Sequence, residues 1–356
     1  MGLFVHEYFS SGACPGELRR SSLAPEGLAM LGAVLQDFAA CFASRPVTTL
    51  DVRLRAEAAR RGFADWADLH WAESPRHEFS LFERLARQTE RTFVITPESD
   101  GILLARRRLV ERAGGHFLGH AAEAIAVCSD KLAFCEHLTR HDLPTIATQG
   151  FDPCATAAPF PFPIVVKPRD GAGSQETYLI CDPEQFATLR PMLATTFGKD
   201  GSLAIVQPYL AGEALSVAAI VGGGSRSVEV FPVGRQQLSD DGRFHYQGGT
   251  IPVPVPNLAT AERMVRDVCR SIPGLAGYIG FDLILTSDAR RLVVVEANPR
   301  LTTAYLGYRA LATENLAARI LHPNRAAGPI SWSADSTTFT PDGQCQRRAS
   351  CNLAIF

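Results

Sequence analysis

A chain of 356 residues is longer than one usual domain, and 46% hydrophobic with 20% charged residues is the balance of a soluble globular protein of two or three subdomains. A net charge of −2 provides neither a basic field for nucleic acid nor a polybasic handle for a membrane. No stretch approaches about 18 uninterrupted apolar residues, and the opening MGLFVHEYFSSG lacks a positive segment ahead of an apolar run, so neither a spanning helix nor a secretory leader is expected.

In chain order, Leu28 to Ala43 reads as an amphipathic helix with Pro25 and Glu26 near its start. VTTLDVRL (Val47 to Leu54) reads as a buried strand, and FVIT (Phe93 to Thr96) as another that Pro97 stops. Helical patterns lie between them, which predicts an open α/β sheet. Near Ser129 the character changes. Asp130 and Lys131 open a helix to about His141, Pro144 follows, and a Pro- and Phe-rich loop from Asp152 to Pro163 leads into the apolar strand PIVVKP. DGAGSQETYLI carries a hairpin signal at Gly171 and Gly173. From Ala204 onward strand patterns dominate (AIVQPYL, ALSVAAIV, SVEVFPV, GFDLIL, LVVVEANP), broken by one helix from Thr260 to Ile272, and predict an antiparallel sheet. The resulting division is 1–127, an α/β domain; 128–325, a domain in halves at about 128–205 and 206–325; and a polar tail, 326–356, with a possible strand pair.

Nine cysteines (Cys14, Cys41, Cys128, Cys135, Cys154, Cys181, Cys269, Cys345 and Cys351) form no CxxC pair, and an odd count argues against a disulfide framework. Reduced thiols in a cytoplasmic protein are expected, with Cys128 read as packing. The nine histidines show no HExxH or paired metal-ligand spacing.

The residues that point to chemistry are spread over the second domain. Lys131 stands on the first turn of a helix and Lys167 ends a buried strand, where a charge either snorkels to solvent or meets an anionic partner. DGAGS follows Lys167 by three residues. It is either a plain hairpin turn or a loop whose backbone N–H groups approach phosphate oxygens, and it is neither a GxxxxGK nor a GxGxxG motif. In VQPYLAGEALSV, Pro208 breaks a strand, leaving either a bulged edge or free backbone groups near Tyr209 and Leu210 for an adenine edge. In GFDLIL…LVVVEANPR, Asp282, Glu296 and Asn298 fall on adjacent antiparallel strands. Glu296 and Asn298 share a face, and the three are hard oxygen donors of the kind magnesium takes, unless this is a polar surface hairpin.

Lys131 in SDK, Lys167 in VVKP, the glycine loop, QPYL, Asp282 and EANPR stand in the order seen in the ATP-grasp superfamily, and the chain resembles that superfamily over roughly Ser129 to Tyr305. The resemblance implies an ATP-grasp fold, α/β and α+β, with an N-terminal open α/β subdomain and two α+β subdomains clasping ATP. It implies that Lys131 and Lys167 bind ATP phosphates and that Gly171, Gly173 and Ser174 cover the triphosphate. Gln207, Tyr209 and Leu210 would hold the adenine, and Asp282, Glu296 and Asn298 two Mg2+ ions, with Mn2+ as a substitute. Two departures follow. Relatives often have a ribose-binding glutamate two residues after the hinge glycine; here Ala214 takes that place, and Glu213, directly after Gly212, is the candidate for the ribose contact. D-alanine ligases carry an arginine two residues before the metal aspartate; here the residue is Gly280, so Arg235 and Arg300 are the candidates for neutralising phosphate and holding a substrate carboxylate.

HEYFSSG, LAPEGLAML, PESDGILL, AIAVCSDK, GRQQL…FHYQGG and NPRLTTAYLGY are similar to the tyramine–glutamate ligases of methanofuran biosynthesis and their bacterial homologues in one-carbon metabolism. That narrower resemblance implies ATP-dependent amide formation through an acyl phosphate, from L-glutamate and tyramine or a related phenolic amine. Thr302, Thr303 and Tyr305 are candidates for the acceptor pocket, and Tyr246 with Gly248 and Gly249 for a mobile flap. The expected partners are small-molecule amino-acid and amine substrates and, as an assembly, a homodimer, with no nucleic acid and no membrane. The other readings are an ATP-grasp ligase with different substrates, a biotin-type carboxylase subunit, and an ATP-binding regulatory protein without catalysis.

Overall fold

A computed structural model describes residues 2–14, 23–171, 173–198, 202–223, 227–288, 290–324 and 328–349. Three sheets carry the fold. The first is parallel and is built from β1 (Leu3–Glu7), β2 (Val47–Asp51), β3 (Asp68–Ala72), β4 (Arg91–Ile95) and β5 (His116–Phe117), in the order β3-β2-β1-β4-β5. β1 lies at its centre and is buried along its whole length, as the middle strand of a sheet covered on both faces must be. The helix Leu23–Cys41 begins earlier than its apolar pattern suggests and packs Leu28, Leu31, Leu35 and Phe38 into the core.

The second sheet is antiparallel: β6 (Gln149–Gly150), β7 (Ile164–Pro168), β8 (Tyr178–Ile180) and β9 (Ala204–Pro208), in the order β6-β9-β7-β8. The expected hairpin joins β7 to β8. A helix absent from the sequence reading, Pro183–Thr196, covers this sheet with Phe186 and Leu193. Asp182 caps it by accepting from Gln185 N at 2.8 Å. Pro191 inside it reads as a breaker in the sequence and is tolerated here.

The third sheet has eight antiparallel strands: β10 (Gly212–Val221), β11 (Val228–Val230), β12 (Gly234–Leu238), β13 (Tyr246–Ile251), β14 (Gly277–Thr286), β15 (Leu292–Asn298), β16 (Ser336–Phe339) and β17 (Cys345–Arg348). β10 and β14 pair residue for residue from Gly212↔Thr286 to Val221↔Gly277. The helix Leu258–Ser271 seals one face with Met264, Val265 and Val268. The polar tail is part of this sheet, because β16 pairs with β13 and β17 with β16. The glycines expected in a flap belong here too. Gly248 and Gly249 lie inside β13, paired with β12 on one side, and Phe339 O would stand 2.2 Å from a Cβ on Gly248. Close approach of a neighbouring strand, rather than mobility, explains that glycine.

Two helices after β15, Ala304–Leu311 and Leu316–Leu321, join the third sheet to the first domain. Tyr305 is fully buried and donates from its hydroxyl to Asp37 Oδ2 at 2.7 Å, while Arg309 pairs with the same carboxylate. Tyr305 therefore anchors a domain contact and does not line the acceptor pocket. Cys128 is buried in the core, where burial pushes its thiol far up. Cys351 lies outside the described residues. Among the described residues no helix is long and apolar enough to cross a membrane.

Candidate active site

The second and third sheets face each other across a cavity of about 250 Å³, on the scale of a small-molecule site. Lys167 on β7, Gln207 on β9, Ser216 on β10, Gln236 on β12, Asp282 on β14 and Glu296 on β15 all reach into it. The first domain closes one end with Glu26.

The two lysines are placed by backbone elements. Asp130 caps the helix Lys131–Arg140, accepting from Leu132 N at 3.0 Å and Ala133 N at 3.1 Å, and also pairs with Arg169 at 2.7 Å. Burial raises the Asp130 carboxyl, but Arg169 and the two helix N–H groups outweigh it and hold the acid below its usual range. Lys131 is thereby fixed on the first turn, its backbone N–H bonded to Arg169 O at 2.9 Å. Asp130→Ala should lower stability by about 1–2 kcal/mol through the lost cap, read as a melting temperature lower by a few degrees. An unchanged melting curve would show that Arg169 and the backbone hold this turn without the cap.

Both lysines are 8% exposed, so their charges need partners. Glu296 Oε2 lies 3.6 Å from Lys131 Nζ and 3.7 Å from Lys167 Nζ, and Lys131 also donates to Gly171 O at 3.0 Å. Burial lowers the Lys167 ammonium against the pull of Glu296. The glycine loop bends back here. Gly171, Gly173 and Ser174 all have positive φ, and a Cβ on Gly173 would approach Leu23 Cδ2 to 2.7 Å. Ala172, inside the loop, lies outside the described residues.

Asp282 and Glu296 stand directly opposite each other on β14 and β15, with Gly280 opposite Asn298. Asn298 Nδ2 lies 3.5 Å from Asp282 Oδ2, and Gln236 Nε2 donates to Asp282 Oδ1 at 2.8 Å. Burial, then repulsion from Glu296, pushes Asp282 well above the usual carboxylate range. Glu296 is also raised by burial, but Lys131 and Lys167 outweigh that and hold it low. Among the described residues no group of three or more His, Cys, Asp or Glu side chains is gathered for a metal. Two carboxylates and an amide fit magnesium nonetheless, because that ion takes one or two carboxylates and completes its shell with phosphate oxygens and water.

At the far end, Gln207 is 2% exposed and donates from Nε2 to Thr148 Oγ1 at 2.8 Å, which fixes its amide at the cavity wall. Tyr209 and Leu210 line the same end, and the Tyr209 ring stacks 6.2 Å from Phe244. The Tyr209 N–H is already bonded to Pro163 O at 2.9 Å, so it is not the free donor expected beyond Pro208.

Residues 128–304 match the ATP-grasp domain family, and residues 44–125 match the pre ATP-grasp 3 domain family. The chain has an ATP-grasp domain. The tyramine–L-glutamate ligase of Methanocaldococcus fervens is 26% identical over 247 residues, 69% of each chain. Among solved structures, an ATP-grasp superfamily protein of Archaeoglobus fulgidus superposes with a TM-score of 0.71 at 19% identity, over 96% of this chain and 92% of that one. The biotin carboxylase domain dimer of the Hydrogenobacter thermophilus 2-oxoglutarate carboxylase, solved with MgADP, ADP and bicarbonate, gives 0.70 at 15% identity, over 95% of this chain and 73% of that one. Both structures share the ATP-grasp fold with this chain.

Two candidates lie outside the ATP-grasp cavity. Arg235 Nη2 and Glu213 Oε2 pair with each other at 3.0 Å, and both are substantially exposed. The reason is strand alternation. Gln236 and Leu238 of β12 and Ala214 and Ser216 of β10 face inward, so Arg235 and Glu213 face away. Arg300, by contrast, lines the cavity, with Nε 2.9 Å from Glu98 Oε1 and Nη1 donating to Leu301 O at 3.1 Å. An arginine at Gly280, as in D-alanine ligases, would force Thr302 to shift, since a Cβ there would stand 2.5 Å from Thr302 Cγ2. Thr302 and Thr303 line the cavity as expected positions for an acceptor pocket. The sequence reading missed Glu26, Glu98 and Gln236. Nothing local in LAPEG says that Glu26 reaches a cavity of the next domain, and nothing in PESDG says that Glu98 pairs with Arg300 there.

Proposed function

We propose that this chain is an ATP-dependent carboxylate–amine ligase that joins L-glutamate to tyramine or a related phenolic amine. The observation that carries the reading is the meeting of Lys131 and Lys167 with Asp282 and Glu296 in one cavity between two sheets, with Arg300 lining the same cavity. The ATP-grasp domain and the name of the Methanocaldococcus fervens relative support it.

In this reading the γ-phosphoryl group of ATP passes to a substrate carboxylate. The acyl phosphate is then attacked by the amine, and phosphate leaves. The protein's part is positioning and charge neutralisation. Lys131 and Lys167 neutralise phosphate oxygens, and the loop at Gly171 to Ser174 folds over them. Gln207, Tyr209 and Leu210 form the wall against the base. Arg300, steadied by Glu98, directs its remaining N–H groups at the substrate carboxylate. Magnesium held by Asp282, Glu296 and Asn298 would neutralise charge developing on the phosphate oxygens. The place of such an enzyme is the assembly of methanofuran-type cofactors.

The test is ADP release with ATP, magnesium and L-glutamate, with and without tyramine, and product mass by mass spectrometry. The expected result is amine-dependent ADP release and a γ-glutamyl amide. Tight ATP binding with no ADP release across a panel of amino acids and amines would instead support a non-catalytic ATP-binding protein.

A further inference from the structure

Two parts of the cavity differ in charge balance. At one, Lys131 and Lys167 oppose Asp282 and Glu296. At the other, Glu26 faces the cavity from the first turn of the helix Leu23–Cys41, and its carboxylate accepts from Thr303 Oγ1. The cation acting on Glu26 among the described residues is Arg300, and Arg300 is paired with Glu98. Behind Glu26 stands a further acid, Glu7, so close that its Oε1 would lie 2.3 Å from a Cβ on Gly27. Glu7 is fully buried, bonded to the N–H groups of Phe9 and Ser10, and raised by burial to about 7. One guanidinium thus serves the cavity carboxylate of Glu26 and the buried carboxylate of Glu98, with a third acid, Glu7, behind Glu26. A partly buried carboxylate without its own cation favours a cationic ligand. One carboxylate and one hydroxyl are too few oxygens for a divalent metal, which leaves a monovalent cation such as an ammonium group. Glu26, Tyr246, Asp282 and Glu296 line one cavity, so this carboxylate borders the space in which acyl transfer would take place.

We infer that Glu26 is the amine-handling residue of this site: its carboxylate pairs with the substrate's ammonium group and takes the proton that the nitrogen must lose before it attacks. The inference rests on the ligase reading above. The substrate R–NH3+ gives one proton to a Glu26 carboxylate oxygen. The freed nitrogen lone pair forms the C–N bond at the acyl carbon. The C–O bond to phosphate breaks with its electron pair on the phosphate, which carries away a second nitrogen proton. Glu26 returns its proton to solvent after release. Burial raises the Glu26 carboxyl, which strengthens it as a proton acceptor. Thr303 holds the carboxylate in place.

Hydroxylamine separates this step from the one before it, because it traps acyl phosphates as hydroxamates and is largely uncharged at neutral pH. The wild-type protein and Glu26→Gln are compared with ATP, magnesium and L-glutamate, plus either tyramine or hydroxylamine. In the variant, kcat/KM for tyramine should fall by about a hundredfold relative to hydroxamate formation, with Glu26→Asp recovering part of the loss. A Glu26→Gln protein that turns over tyramine as fast as wild type overturns the assignment. So does one that loses both reactions in proportion, which would give Glu26 a role in folding or in carboxylate activation. Wild-type protein that forms neither hydroxamate nor tyramide overturns the ligase reading itself, and this inference with it.

Discussion

Glu296→Gln should leave a folded protein whose amide-forming turnover is lower by at least about two orders of magnitude, roughly 2.7 kcal/mol of transition-state stabilisation. The backbone at Glu296 is set by its pairing with β14, opposite Asp282, and does not depend on the carboxylate. The change therefore acts on charge. In the wild-type protein Glu296 is within 4 Å of two lysine ammonium groups and faces a second carboxylate. A glutamine there keeps the shape but removes one of the two charged donors proposed for magnesium, in a site where exclusion of water makes each charge count for more than it would in solution. It also leaves Lys131 and Lys167 facing each other without the anion between them. Bound nucleotide supplies new anions, so the variant should gain more thermal stability from ATP than the wild type does. Amide formation at saturating ATP over a magnesium series, with circular dichroism as the control for folding, measures the effect. Partial recovery at high magnesium would locate the loss in metal affinity. Near wild-type turnover in a folded variant would remove Glu296 from the metal site.

The cluster of lysines and acids was legible in the sequence because its logic is local. A lysine ending an apolar strand and acids at fixed places on adjacent strands follow from period-two alternation within one segment. Lys131, Lys167, Asp282, Glu296 and Asn298 are accordingly brought together. Arg235 and Glu213 were misplaced because β10 and β12 carry polar residues on both faces. GRQQL offers Arg235 and Gln237 to one side and Gln236 and Leu238 to the other, with no apolar stripe to say which side is inner. Gly248 and Gly249 looked like a flap because the strand crowding them, β16, is nearly ninety residues further along the chain. Glu26 and Glu98 are illegible for a related reason. Both belong to the first domain, and only its packing against the third sheet turns them toward Arg300 and Thr303. In the first sheet the strands β1, β3 and β5 were missed. β5 is two residues long, and His6 and Glu7 give β1 a polar end although the fold buries both fully.

Lys131→Ala and Lys167→Ala should each weaken nucleotide binding by roughly tenfold to a hundredfold, the loss of one charge-assisted hydrogen bond worth about 1.5–3 kcal/mol. The structure adds a sign that distinguishes this from general damage. Both ammonium groups now rest against Glu296, and either one repels a cation approaching Asp282 and Glu296. Removing one lysine therefore leaves those carboxylates more negative, and the affinity for free magnesium should hold or rise while affinity for the nucleotide falls. The two variants differ in what else they disturb. Lys131 also tethers the glycine loop through Gly171 O, so its loss should free that loop and make it more sensitive to protease than in wild type. Among the described residues Lys167 contacts no loop carbonyl in this way, and it lies at the end of β7, paired with Ile205 of β9. Its variant should lose affinity without loosening the loop. Isothermal titration with ADP and with magnesium alone, alongside limited proteolysis, separates these effects. Unchanged nucleotide affinity in both variants would mean that the lysines serve only as counterions to Glu296, and the phosphate assignment would fall.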